Sequence, residues 1–424
     1  MSIGRTVFGD EATVLSERNF QLLLLTALFP VLGTALVSPI LDAVIDPFGT
    51  SAANVGLMMS FVTAPAIVLI PAAGALADRY GRKPLLAGSL ICFGAAGASI
   101  ALTTDFRVVL ALRFVQGVGY AGLAPIITTC IGDMYDGARE STGQGIRMTA
   151  NGFSGATMPL LSGVLVGVAW QFPFLLYAVA IPVGGVVWLW FEEPTATGAT
   201  AGRPDSGRSY YATLAEFLGN PRVVAVLVGR SLPVVVWIAF ITYNSLVVVR
   251  LLGGTVIQAG LLAALGNAVY ALAGAQAGRI TSVFGSRYRP LLVGNGFLAV
   301  GWGFFVLAPT LPVATAGVVS MGIGFGITVT LFRSLVTALA PTDLRAGLVG
   351  LGSMGSRLLT TVTPIAIGGG VALAESTVGF ASALRVAGLG VVLFSVCVCV
   401  GCVIFVYAAT DRPLDDGDVG PGIQ

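Results

Sequence analysis

The chain has 424 residues, of which 56% are hydrophobic and 10% charged, with a mean hydropathy of +0.92; this excludes a set of soluble globular domains and calls for a membrane protein. The formal net charge of +2 comes from basic residues scattered singly among apolar runs, which excludes a nucleic-acid surface. Histidine is absent, so the commonest metal ligand is missing, and the expectation is no metal, no cofactor and no enzyme chemistry.

A helix needs about 20 apolar residues to cross the hydrocarbon layer, and no other single segment pairs its own backbone groups there. Asp10, Glu11 and Glu17 precede a first apolar run at 20–41 that is too long for a signal-peptide core, so it reads as a retained helix. Further runs follow at 54–77, 84–103, 106–131, 146–169 and 172–191. The polar connection 192–221, rich in Gly, Pro, Ser and Thr, interrupts the series, and its segment "SYYATLAEFL" suits a short interfacial amphipathic helix. Six more runs lie at 223–249, 256–280, 290–309, 312–338, 346–374 and 380–409.

The expected fold is an all-α membrane protein of twelve transmembrane helices. It divides into an N-terminal six-helix bundle (1–191), a cytoplasmic linker (192–221), a C-terminal six-helix bundle (222–409) and a disordered acidic tail (410–424). The five cysteines lie in apolar runs and read as small buried hydrophobes, including the isolated C-x-x-C of Cys399 and Cys402. With twelve spans both termini share one side. Fourteen of the 22 basic residues fall on that side and three, Arg107, Arg250 and Arg385, on the other, which predicts cytoplasmic termini.

The two halves are alike. Gly74 and Gly81 recur 204 residues on as Gly278 and Gly285, and Gly117, Gly119 and Pro159 recur 205 residues on as Gly322, Gly324 and Pro364. Two related six-helix bundles with a site between them near the midplane are the layout of a rocking transporter.

At these residues the sequence resembles the major facilitator superfamily over nearly its whole length. "GALADRYGRKP" at 74–84 resembles the signature loop between helices 2 and 3, "LRFVQGVGYAG" at 112–122 the second motif, and "GATMPLLSGVLVG" at 155–167 the Gly-Pro motif found mainly in exporters, with Met158 in place of a glycine. The resemblance implies a gating role for Gly74, Asp78, Arg79, Gly81, Arg82 and Lys83, and a link to proton coupling for Arg113. In the second half "GRITSVFGSRYRP" carries Ser282 and Val283 where Asp78 and Arg79 stand, so the paired charges are lost there.

Five arginines, Arg113, Arg147, Arg230, Arg333 and Arg357, fall inside spans, where ionisable groups are functional candidates by default; Arg147 and Arg333 lie near inner helix ends, where snorkelling also explains them, while Arg230 and Arg357 lie deeper. Carboxylates are scarcer, and Asp42, at the outer end of helix 1, is the candidate coupling group. The candidate substrate contacts are Phe29, Arg113, Gln116, Tyr120, Asn151, Arg230, Trp237, Tyr243, Asn244, Asn267, Tyr270 and Arg357, which together would make a mostly apolar cavity with a few polar groups. Each polar member is also ordinary helix-to-helix glue. The G-x-G-x-x-G of Gly117, Gly119 and Gly122 lies inside an apolar helix and follows no strand, so it reads as close packing and not as a dinucleotide site.

No P-loop is present, and the expected function is secondary transport by alternating access, specifically proton-coupled export of small amphipathic or drug-like compounds. Uptake or exchange of an organic anion is the alternative. The expected partners are a small-molecule substrate, a proton or other coupling ion and membrane lipid, for a monomer in the cell membrane.

Overall fold

An apolar segment in lipid pairs all of its own backbone groups by becoming a helix. The computed structural model describes residues 14–193, 218–339 and 345–408, and among these there are helices and turns but no strand. In chain order the helices are α1 (Arg18–Ile40), α2 (Leu57–Tyr80), α3 (Arg82–Leu102), α4 (Phe106–Met134), α5 (Gly137–Val166), α6 (Phe172–Trp190), α7 (Pro221–Leu251), α8 (Val256–Ala275), α9 (Tyr288–Val306), α10 (Leu311–Leu339), α11 (Arg345–Val378) and α12 (Phe380–Ala408). Ten are long and apolar enough among the described residues to cross a membrane. The other two are α2, whose apolar stretch is Leu57–Ile70, and α5, a helix of 30 residues whose charge-free part, 149–166, is diluted by Asn, Ser, Thr and Gly. Most of "SYYATLAEFL" and the acidic tail lie outside the described residues.

By packing, the chain forms two units. Unit 1 holds α1–α6 together with Ile241–Ala264, the end of α7 and the start of α8; unit 2 holds α7 up to Phe240 and everything from Leu265 onward.

The repeat seen in the glycines is used in the same way in each unit. In unit 1, a Cβ on Gly117 would lie 2.5 Å from the Val62 carbonyl oxygen of α2, and one on Gly119 would lie 2.6 Å from the Phe93 nitrogen of α3. In unit 2, a Cβ on Gly322 would lie 2.9 Å from Val269 of α8, and one on Gly324 would lie 2.5 Å from the Gly294 carbonyl oxygen of α9. Thus α4 and α10 each sit against two neighbours at backbone contact, which only glycine allows. The G-x-G-x-x-G run is a packing surface.

Helices α1 and α7 are both broken, at Leu28 and at Leu232, which lie 204 residues apart. A proline follows each break, Pro30 and Pro233, and proline removes a backbone donor from the ladder. Helix α1 breaks again around Pro39.

Candidate transport site

Broken helices leave carbonyls that lipid does not satisfy, so neighbouring side chains must do so. In unit 1 those donors converge on α1. Ser154 Oγ donates to the Leu28 carbonyl at 3.2 Å, Tyr177 OH to Leu32 at 2.9 Å, Arg113 Nη2 to Gly33 at 2.8 Å, and Ser162 Oγ to Leu36. Arg113 is fully buried and also donates from Nε to the Met58 carbonyl at 3.1 Å and from Nη1 to Gln116 Oε1 at 2.7 Å and Tyr177 OH at 3.4 Å. It ties α1, α2, α4 and α6 together. None of these acceptors carries a charge.

The other unit 1 candidates are dispersed. Phe29 is buried at the α1 break, while Tyr120 is half-buried with its ring edge near Gly33. Asn151 is half-buried on α5, and its Oδ1 has no hydrogen-bond partner. Tyr243 and Asn244 are fully buried, and the Asn244 amide donates to the Ala259 carbonyl at 2.7 Å, joining α7 to α8. The Asp42 side chain, 13% exposed, forms an ion pair with Arg250 at the end of α7. Nearby, Ser38 Oγ donates to the Ile241 carbonyl at 2.6 Å, and the Asp42 backbone N–H donates to Ser245 Oγ at 3.3 Å.

In unit 2, Trp237 stacks on Phe325 with ring centroids 4.7 Å apart and planes 4° from parallel, and Tyr270 meets both rings at 5.7 and 5.1 Å. Asn267 and Arg357 are half-buried. Arg230 is half-buried and donates to the Val349 carbonyl at 3.1 Å and to Ser353 Oγ at 3.2 Å. Of the sequence-derived set, then, Arg113 meets Gln116, and Trp237 meets Tyr270.

The start of α3, one residue after the end of α2, is pinned by acidic residues from elsewhere in unit 1. Arg82 Nη1 lies 2.7 Å from Asp133 Oδ2, and the Glu193 carboxylate accepts from the backbone N–H groups of Arg82 and of Lys83, the latter at 2.9 Å. A carboxylate at a helix amino terminus satisfies unpaired donors and the helix dipole together. Gly81 has φ +91°, a backbone state that suits glycine, and a Cβ there would come within 3.2 Å of Glu193. Arg79 is exposed over the Tyr80 ring. Gly74 and Asp78 lie in α2, but what surrounds them is outside the described residues.

Sequence reasoning passed over Tyr177, Ser154 and Ser162, which read as ordinary polar spots in apolar runs. Pro30 and Pro39 were the available signal, since each break demands donors. It also missed Arg250, Phe325, Ser353 and Glu193, whose roles depend on contacts across long sequence separations.

Twelve helices in two repeats, with glycine-lined contacts and charges inside the spans, define a multi-pass membrane protein built on a duplicated six-helix unit. A sequence profile of the Major Facilitator Superfamily matches residues 23–364, and the chain belongs to that family, one of transporters and not of enzymes. It is similar to the bacillibactin exporter of Bacillus subtilis (strain 168), at 34% identity over 164 residues, covering 37% of this chain and 41% of that protein. It is also similar to the multidrug transporter MdfA of Yersinia pestis bv. Antiqua (strain Angola), at 28% identity over 215 residues, covering 48% and 50%. The chain thus spans half or less of the length of these relatives. Its fold is similar to that of a bacterial homologue of the human lysosomal transporter Spinster, with a TM-score of 0.75 at 18% identity over 92% of this chain and 96% of that one.

Proposed function

We propose that the chain is a secondary transporter working by alternating access, lying in the cell membrane with both termini cytoplasmic, and that it exports small amphipathic or drug-like compounds in exchange for protons. The observation that carries the export reading is the use made of the Gly-Pro segment of α5. A Cβ on Gly163 would lie 3.1 Å from the Val256 carbonyl oxygen, and one on Gly260 would lie 2.6 Å from the Pro159 carbonyl oxygen, so this segment meets α8 at backbone contact. The names of the two relatives, one an exporter and one a multidrug transporter, support the same reading.

Asp42 is the proposed coupling group, since a proton and the Arg250 guanidinium compete for the same carboxylate oxygens. The 74–83 segment, the end of α2 and the start of α3 joined at Gly81, is the proposed gate, and the hold of Asp133 and Glu193 on Arg82 and Lys83 supports that role. Large side chains such as Val68, Phe153 and Leu373, 74%, 66% and 83% exposed, suit contact with lipid by a monomer.

The test uses purified protein in proteoliposomes with an imposed pH gradient and a fluorescent amphipathic dye. Uphill dye movement should follow the gradient, stop with a protonophore and be lost in Asp42→Asn. Movement that ignores the gradient rejects proton-coupled export, and undiminished coupling in Asp42→Asn removes that residue from the mechanism.

A further inference from the structure

Arg230 sits nine residues into α7 and lies against α11, where Val349 and Ser353 receive its two hydrogen bonds. A Cβ on Gly352 would collide with its Nη1 and lie 3.1 Å from Cδ and Cζ, so the Arg230 side chain packs against α11 where a glycine leaves room for it. Both acceptors are uncharged. Arg333 of α10 is close enough to repel it. Among the described side chains of unit 2 there is one carboxylate, Glu375, and it lies 26 residues beyond Val349 on the same helix, about 39 Å at 1.5 Å per residue. It cannot neutralise Arg230. Val349, Ser353 and Arg357 are spaced four apart and share one face of α11, which brings a third arginine to within about one turn of the Arg230 contact.

An aromatic cluster lies deeper along the same helices. On α7, Trp237 follows Arg230 by seven residues, and on α10, Phe325 precedes Arg333 by eight; both separations are about two turns. Since α10 ends just before α11 begins, and α7 meets the first turns of α11, both aromatics lie on the same side of the arginines, farther from that end. Trp237 and Phe325 stack on each other, with the half-buried Tyr270 against both. A partly desolvated cation with neutral partners and a like charge beside it is stabilised by an anion from outside, and a planar oxyanion matches the guanidinium fork.

From this geometry we infer that unit 2 binds an organic anion with an aromatic body: its carboxylate or similar oxyanion meets Arg230, with Arg333 and Arg357 adding positive potential, and its ring lies towards Trp237, Tyr270 and Phe325. This rests on the transporter reading above and names the substrate class, independent of the direction of flux and of the coupling ion.

The test is equilibrium binding of 2-naphthoate and its neutral isostere 2-naphthamide to the full-length protein in neutral detergent, followed by tryptophan fluorescence and thermal shift. Wild type should bind naphthoate about tenfold tighter than naphthamide, as expected for one charge-assisted contact. Arg230→Gln should bring the two within about twofold, Arg230→Lys should fall between, and Arg385→Gln, whose Nε bonds the Val306 carbonyl, should leave the preference intact. Should Arg230→Gln fail to fold, Arg333→Gln serves instead and should reduce the preference. No binding of naphthoate by wild type, equal binding of the amide, or a preference that survives Arg230→Gln or Arg333→Gln overturns the inference. So does displacement of naphthoate by added phosphatidylglycerol, which would give the arginines to a lipid headgroup. Gradient-driven movement of the amphipathic dye in proteoliposomes is read separately: its absence rejects the proton-coupled export reading while leaving the binding preference standing.

Discussion

Arg113 is a buried cation whose bonded partners are two carbonyls, an amide oxygen and a phenol, all uncharged. Its function in the fold is to satisfy a broken helix. Replacing it with methionine keeps the bulk and removes the donors, so the Gly33 carbonyl near the α1 break loses its partner at about 1–3 kcal/mol, while Met58 keeps the ladder of α2. Arg113→Met should therefore lower the thermal unfolding midpoint by several degrees, and Arg113→Lys should not restore it, because one ammonium cannot reach acceptors on three sides. An unchanged midpoint would mean that the ties are dispensable. At the aqueous end, Tyr135 lies just beyond α4 and donates to Glu17 Oε2 at 2.8 Å. Burial first, and then the bond to and charge of Glu17, raise its phenol above the ordinary 10.0. A group raised in the folded state stabilises fully below its unfolded value and loses that contribution as pH climbs past it. Stability should accordingly hold up to about pH 10 and fall progressively above it until the folded phenol ionises, and Tyr135→Phe should flatten that fall in a thermal unfolding series. Neither role was legible in the sequence. The residue types could be read, but Asp42 and Arg250, or Arg230 and Ser353, stand more than 100 positions apart, and single-sequence patterns carry no information on such pairs.

Hydropathy made the helices legible because lipid permits few alternatives, whereas the breaks within them were only partly so. Pro30, Pro39 and Pro233 mark sites where the ladder loses a donor, but whether a helix then bends or stops depends on the donors its neighbours bring. Glycine contacts were legible as a class and not as pairs. Gly260 of α8 makes the distinction testable, since a Cβ there would lie 2.6 Å from the Pro159 carbonyl oxygen and 3.3 Å from its carbon, both backbone atoms that cannot swing aside. Gly260→Val should cost about 1–3 kcal/mol through overpacking. Gly303→Ala is the control, because a Cβ there meets nothing within 4 Å, and it should hold or slightly raise the unfolding midpoint. Equal effects of the two substitutions would show that the α5–α8 approach is loose.

The duplication was legible in the glycine offsets, and the two units use those glycines alike, yet the sequence did not reveal that Ile241–Ala264 packs in unit 1. By the repeat, that segment belongs to the second half. It is held by Ser38 to the Ile241 carbonyl, by Asp42 to Arg250 and by the backbone contact at Gly260. On the proposed alternating-access reading these contacts break and re-form during the cycle, so their strength should set how often the segment leaves α1 and α5. Ser245 is fully buried beside Asp42 and can report this. In a background with the five native cysteines replaced, Ser245→Cys should react slowly with a membrane-impermeant maleimide added from the side of the α7–α8 turn. Arg250→Glu sets two carboxylates against each other and should speed labelling several-fold, while the exchanged pair Asp42→Arg with Arg250→Glu should slow it again. Labelling that does not respond to Arg250→Glu would mean that the ion pair does not hold the segment, and that the hydroxyl and glycine contacts alone do.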